Sequence, residues 1–134
     1  MVNFGKNHKN EIIGSWSNFY FDYNKLKEIS NRKNLNNSDN KDKIFIEFDN
    51  TVIKEVNKVN KFYLEKIDEI SVKINSDNID YNKMFEDCDK LRHYVLLNII
   101  SIIKIVKRRN KRTSNIVPVL TFIDEYDFYK CTKL

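Results

Sequence analysis

Nine consecutive residues, 104 to 112, hold six Lys or Arg side chains and no Asp or Glu. If they are helical, Lys104, Lys107, Arg108 and Lys111 fall at i, i+3, i+4 and i+7 and stack on one face. An uninterrupted row of cations repels itself unless an anion joins it. Elsewhere the chain interleaves its lysines with glutamates. The chemistry open to this row is capture of a polyanion, with ammonium groups as point charges and the Arg108 guanidinium as a planar fork for phosphate. The same cations also suit the negative end of a helix as a solvated face. This stretch alone leaves both readings open.

A second pair of interest lies far upstream. Tyr23 and Lys27 are i, i+4 partners in an amphipathic pattern, so a phenol and an ammonium project from neighbouring positions. The pattern itself is Trp16, Phe19, Tyr20, Tyr23, Leu26 and Ile29 at three- and four-residue steps. It predicts one helix of roughly four turns with Ser15 as its N-cap. Residues 1–13 read as a loose start and a short helix ending near Gly14, which makes 1–30 a helical hairpin. Residues 31–43 are almost wholly polar and read as a loop.

From Ile44 the apolar pattern resumes through Phe48, Val52, Val56, Val59, Phe62, Ile67, Ile70 and Ile74. That is one helix of ~30 residues. A break at 75–80 supplies N-caps, and a further helix runs from about 79 to 112 through Met84, Leu91, Val95, Ile99, Ile102 and Val106. The short connection makes the two antiparallel. The basic row therefore ends a helix whose middle, 95–103, is buried. Pro118 suits the first turn of a short helix over about 117–124. Residues 113–134 close the chain with short helices, the last docked through Phe128 or Tyr129.

The composition agrees with an all-α bundle forming one domain over 1–134. The chain has 134 residues, 41% hydrophobic and 32% charged, with two Gly and one Pro. An all-β protein needs turn residues far more often. The net charge of +5 favours an acidic partner. Cys88 and Cys131 lack CxxC spacing and His8 and His93 stand alone, so neither metal nor cofactor is expected. No signal peptide or spanning segment is recognisable, and a cytoplasmic location is expected. A glycine-rich phosphate loop and a nucleophile paired with a base are both absent from the sequence, so no enzyme is expected.

At this point four separated stretches, and a shorter closing one, resemble, in order, an SPX domain, the helical module of eukaryotic phosphate-homeostasis proteins. Residues 1–6, MVNFGK, resemble the opening M-K-F-G-K with one residue inserted. Residues 16–27, WSNFYFDYNKLK, match W-x-x-x-Y-x-x-Y-x-x-L-K. Residues 55–63, EVNKVNKFY, match E-L-x-K-V-x-x-F-Y. Leu97 and Asn98 followed by KIVKR at 104–108 match L-N followed by K-I-L-K-K, and residues 127–129, DFY, resemble a closing Pro-Phe-Tyr.

The resemblance implies a bundle with two long antiparallel helices and a surface that binds inositol polyphosphates and pyrophosphates. It implies ligand contacts from Tyr23, Lys27 and Arg108, with Lys104, Lys107 and Lys111 beside them and Lys6 and Asn3 as additional positions. Arg108 stands where the family has Lys, Asn3 where a Lys often contributes, and Asn110 where an Asp is usual. The implied role is a phosphate-status sensor acting on a partner protein or an attached domain. Such partners would be a phosphate transporter, a polyphosphate polymerase complex or a regulator. The alternatives are a basic helical module binding nucleic-acid phosphates through 107–112, and an anionic-lipid-binding or structural bundle.

Overall fold

Two long apolar stripes at helical spacing must find each other, because each alone would leave a row of Val, Ile and Phe in water. The computed structural model describes residues 11–31, 38–112 and 123–130. The described residues form a 3-10 segment, Gly14–Phe19, followed by helices α1 (Tyr23–Ser30), α2 (Ser38–Ile74), α3 (Tyr81–Asn110) and α4 (Asp127–Lys130). No strand occurs among them. At 1.5 Å per residue α2 is about 55 Å long and α3 about 45 Å.

α2 and α3 run antiparallel, as their ion pairs record. Lys73 near the end of α2 pairs with Asp87 near the start of α3, and Asp49 near the start of α2 pairs with Arg109 near the end of α3. Asp80 caps α3, its carboxylate accepting from the Lys83 N–H at 3.2 Å. Between the helices lie Phe48, Val52, Val56, Val59 and Phe62 of α2 and Leu91, Val95, Ile102, Ile105 and Val106 of α3, all buried. Phe128 of α4 is buried as well, and its N–H donates to Asn60 Oδ1 at 3.1 Å.

The stretch 15–29 departs from the expected single helix. It divides into the 3-10 turn and α1, with extended backbone at Tyr20 between them. Two buried polar side chains hold that break open. Asn98, wholly buried on α3, accepts the Phe21 N–H at 2.7 Å and donates to the Tyr94 carbonyl at 2.7 Å. Glu55 of α2 accepts the Asp22 N–H at 2.9 Å and is itself paired with Lys58 at 2.6 Å. Asp22 then starts α1 by accepting the Lys25 N–H at 3.1 Å. The break also swings Phe21, only 1% exposed, into the core. Ser15 caps nothing, since Ile13 precedes the 3-10 turn without a side-chain cap.

Aromatic rings pack the 3-10 turn down. Trp16 and Tyr20 meet Tyr94 edge-on at 5.9 and 4.8 Å, and Phe19 stacks on Phe62 at 4.6 Å. The Tyr94 hydroxyl donates to the Phe19 carbonyl at 2.7 Å.

α2 starts at Ser38, so the last residues of the expected loop at 31–43 are helical. A helix needs no apolar side chain in its first turns, and a periodicity reading finds only the part that packs. The short helices expected before Gly14 and at 117–124 lie largely outside the described residues, with Glu11 and Ile123 helical at their edges.

Two predictions follow from the break. Asn98→Ala leaves the buried Phe21 N–H without its acceptor and is expected to lower stability by roughly 2–4 kcal/mol, read as the midpoint of urea unfolding. The second concerns Tyr94, whose phenol burial pushes far above the ordinary value of 10.0, with Tyr20 and Glu55 adding to the shift. A folded-state pKa raised above the unfolded one gives stability that is complete below pH 10.0 and is lost as pH rises beyond it, because only the unfolded chain can then ionise. Each such tyrosine contributes a slope of about 1.4 kcal/mol per pH unit. Tyr94→Phe is therefore expected to cost about 1 kcal/mol at pH 8 and to flatten the decline between pH 10 and 11.

Candidate functional site

The basic end of α3 is sorted by helix geometry and by what packs against each side. Ile105, Val106 and Arg109 face inward, whereas Lys104, Lys107 and Lys111 are exposed and Arg108 is half-buried. Arg109, adjacent in sequence to the site candidates, is a structural residue. Only 6% exposed, it grips both carboxylate oxygens of Asp49 at 2.6 and 3.0 Å and lies over the Phe45 ring at 5.8 Å. That fork pins the open end of the long hairpin.

α1 lies alongside α3 and runs parallel to it. The Phe21 N–H meets Asn98, and ten residues on, Arg108 meets the end of α1: its Nε donates to Ser30 Oγ at 2.7 Å and its Nη2 to Asn31 Oδ1. Partners 77 to 78 residues apart at both ends set one register, which puts Lys27 level with 104–105. Tyr23, Lys27, Ser30 and Asn31 form one stripe of α1 and its cap, at i, i+4, i+7 and i+8. Lys27 is thus one turn from the groups that hold Arg108.

Relative to Arg108, and at about 100° per residue, Lys104 and Arg112 lie about 40° to either side, Lys111 about 60° away and Lys107 about 100° away. The structure therefore gathers Lys27, Arg108 and, one turn back on α3, Lys104 along the α1–α3 seam. Lys111 and then Lys107 stand progressively further out on the exposed face. Tyr23 is buried, at 8% exposure, on the stripe of α1 that carries Lys27. Lys6 and Asn3 lie outside the described residues.

Three residues at this seam, Ser30, Asn31 and Arg112, were missed by the sequence reading. Arg112 donates from Nη1 to the Ser30 carbonyl and from Nη2 to Asn31 Oδ1 at 3.2 Å. The signal available was its place at i+4 from Arg108, but nothing in the sequence tied either arginine to Ser30 or Asn31.

Charge balance separates this seam from two hollows elsewhere on the described surface. A hollow of about 270 Å³ at the closed end of the hairpin is lined by Trp16 and by Lys66, Lys73, Lys83 and Lys90, but Glu69 and Asp87 line it too. Lys66 pairs with Glu69 at 3.1 Å and Lys73 with Asp87 at 3.2 Å. A groove of about 430 Å³ between Tyr63, Ile67, Ile70, Leu91, Val95 and Leu96 is mostly apolar, with Arg92 and Cys88 on its wall. At the α1–α3 seam, Lys27, Lys107, Arg108, Lys111 and Arg112 pair with no acid among the described residues. No group of His, Cys, Asp and Glu among those residues has the makings of a metal site. No described helix is long and apolar enough to cross a membrane.

Compared by sequence, the chain matches no protein-family profile and no curated protein. Compared by structure, it is similar to the SPX domain of Chaetomium thermophilum glycerophosphodiester phosphodiesterase 1, solved in complex with inositol hexakisphosphate. The TM-score is 0.73 at 20% identity, over 98% of this chain and 90% of that one. Two long antiparallel helices, a shorter helix parallel to the second of them and a basic seam between these last two make up a chain with an SPX-like fold.

Proposed function

We propose that this chain binds inositol polyphosphates, including pyrophosphates, on the basic seam between α1 and α3, and so reports phosphate status to a partner protein or an attached domain. The observation that carries the reading is the seating of the Arg108 guanidinium on Ser30 and Asn31, one turn from Lys27, with neither Lys27 nor Arg108 paired to an acid among the described residues. The structural neighbour with this fold was solved with inositol hexakisphosphate, which supports the same ligand class. Tyr23, Lys27, Lys104, Lys107, Arg108 and Lys111 are the proposed contacts, with Lys6 and Asn3 as further candidates.

The chemistry favours this class over a lone phosphate. An inositol ring carrying six phosphates is a rigid polyanion that can meet several cations at once, and fixed helices hold those cations without further ordering. Lysines on the outer face supply adaptable point charges, and Arg108 supplies directed donors. The role is binding, and regulation would pass through whatever contacts the occupied seam.

Thermal unfolding with inositol hexakisphosphate tests the reading. At 100 times its dissociation constant a ligand specific for the folded state adds ~2.7 kcal/mol, which for a chain of this size is a rise of roughly 10 °C. Lys27→Ala and Lys107→Ala are expected to remove much of that rise and leave the ligand-free melting temperature within about 2 °C of wild type. Val59→Ala, at a wholly buried position, is expected to lower the ligand-free stability by ~1–3 kcal/mol while the ligand-induced rise survives. Equal stabilisation by duplex DNA at matched phosphate concentration would overturn the proposal in favour of a generic anion surface.

A further inference from the structure

We infer that Arg108 and Arg112 act as one phosphate-gripping pair, and that Ser30 and Asn31 are the positioning residues that aim it at a phosphomonoester. The inference rests on the polyphosphate reading above and adds three residues to it.

Both guanidinium groups converge on the cap of α1. Arg108 uses Nε on Ser30 Oγ at 2.7 Å and Nη2 on Asn31 Oδ1. Arg112 uses Nη1 on the Ser30 carbonyl and Nη2 on the same Asn31 Oδ1 at 3.2 Å. One amide oxygen thus holds two full positive charges within hydrogen-bond reach of itself. Every acceptor in the arrangement is neutral: a hydroxyl, a carbonyl and an amide. Among the described residues neither arginine has a carboxylate partner, whereas Arg109 between them in sequence is neutralised by Asp49.

Two guanidinium groups placed together by neutral oxygens leave a concentrated positive charge that a dianion can discharge. A guanidinium has five N–H donors, so each arginine keeps three. The edges already in use differ. Arg108 is held along its Nε–Nη2 side and leaves its Nη1–Nη2 end open. Arg112 is held by that end and leaves its Nε–Nη2 side open. Each open edge presents two parallel N–H groups, the arrangement that grips two oxygens of one phosphate.

A phosphomonoester offers three terminal oxygens and close to two charges near neutral pH. A phosphodiester, as in a nucleic-acid backbone, offers two oxygens and one charge. The pair therefore selects monoester phosphates such as those on an inositol ring. Ser30 and Asn31 contribute by ordering two long side chains before the ligand arrives. Ser30 is itself fixed, its hydroxyl donating to the Lys27 carbonyl at 2.7 Å.

Calorimetric titration of the full chain with inositol hexakisphosphate and, separately, with duplex DNA tests the inference, with melting temperatures as the check on folding. Arg112→Lys keeps the charge and loses the fork. It is expected to weaken inositol hexakisphosphate at least fivefold and to change DNA binding less than twofold. Asn31→Asp places a carboxylate between the two arginines. It is expected to leave the melting temperature equal or higher and to weaken inositol hexakisphosphate more than tenfold. If the wild-type chain binds inositol hexakisphosphate and both variants bind it within twofold of wild type, the pair is a structural cap of α1 and this inference alone is overturned. If the wild-type chain does not bind it, this inference and the polyphosphate reading fall together.

Discussion

The amide of Asn98 is the contact on which the arrangement of this molecule turns. Buried between three helices, it must satisfy both its donor and its acceptor inside the protein, because an unpaired amide in the core costs several kcal/mol. It gives its NH2 to the Tyr94 carbonyl on its own helix and takes the Phe21 N–H from the incoming chain. Accepting that N–H requires the chain to leave helical geometry at 20–22, and Glu55 takes the next N–H in the same way. The helix that restarts at Tyr23 is then committed to a direction parallel to α3. Everything at the far end of the seam, ten residues on, inherits its position from that bond.

The cations at the end of α3 show how one sequence run is divided by its neighbours. Arg109 points inward, meets Asp49 with both arms of its fork and ties the open end of the hairpin together. Arg108 and Arg112 point toward α1 and, among the described residues, meet only neutral oxygens. The first arrangement is closed, since charge and donors are matched. The second is open, since two charges are ordered but not neutralised. The difference follows from 100° per residue and from which helix lies on which side.

An open basic seam has a thermodynamic cost in the unliganded protein, since like charges held close oppose folding. The hydrogen bonds from both arginines to the cap of α1 offset part of it. They also favour cations at the negative end of a short helix, so local stabilisation of α1 and ordering of the seam are served by the same contacts. The solvated-face reading of the basic run is thus compatible with its use as an anion site, because Lys107 and Lys111 remain in water while Arg108 and Arg112 reach the cap of α1.

The sequence by itself determined the two long helices, their antiparallel pairing and the gathering of Lys104, Lys107, Arg108 and Lys111 on one side of α3. Apolar spacing of three and four residues carries that information within each helix, and a short connection leaves one way to pack. The motifs at 16–27, 55–63 and 97–108 also pointed to the fold that structural comparison finds. Tertiary structure alone decided the break at 20–22, since the pattern through Trp16, Tyr20, Tyr23 and Leu26 is continuous and Asp22 was its only warning. It also decided that α2 begins at Ser38, that Arg109 is buried and that Ser30, Asn31 and Arg112 join the seam. Periodicity orders the residues of one helix, whereas docking is fixed by buried polar groups such as Asn98, whose partner lies 77 residues away in the chain.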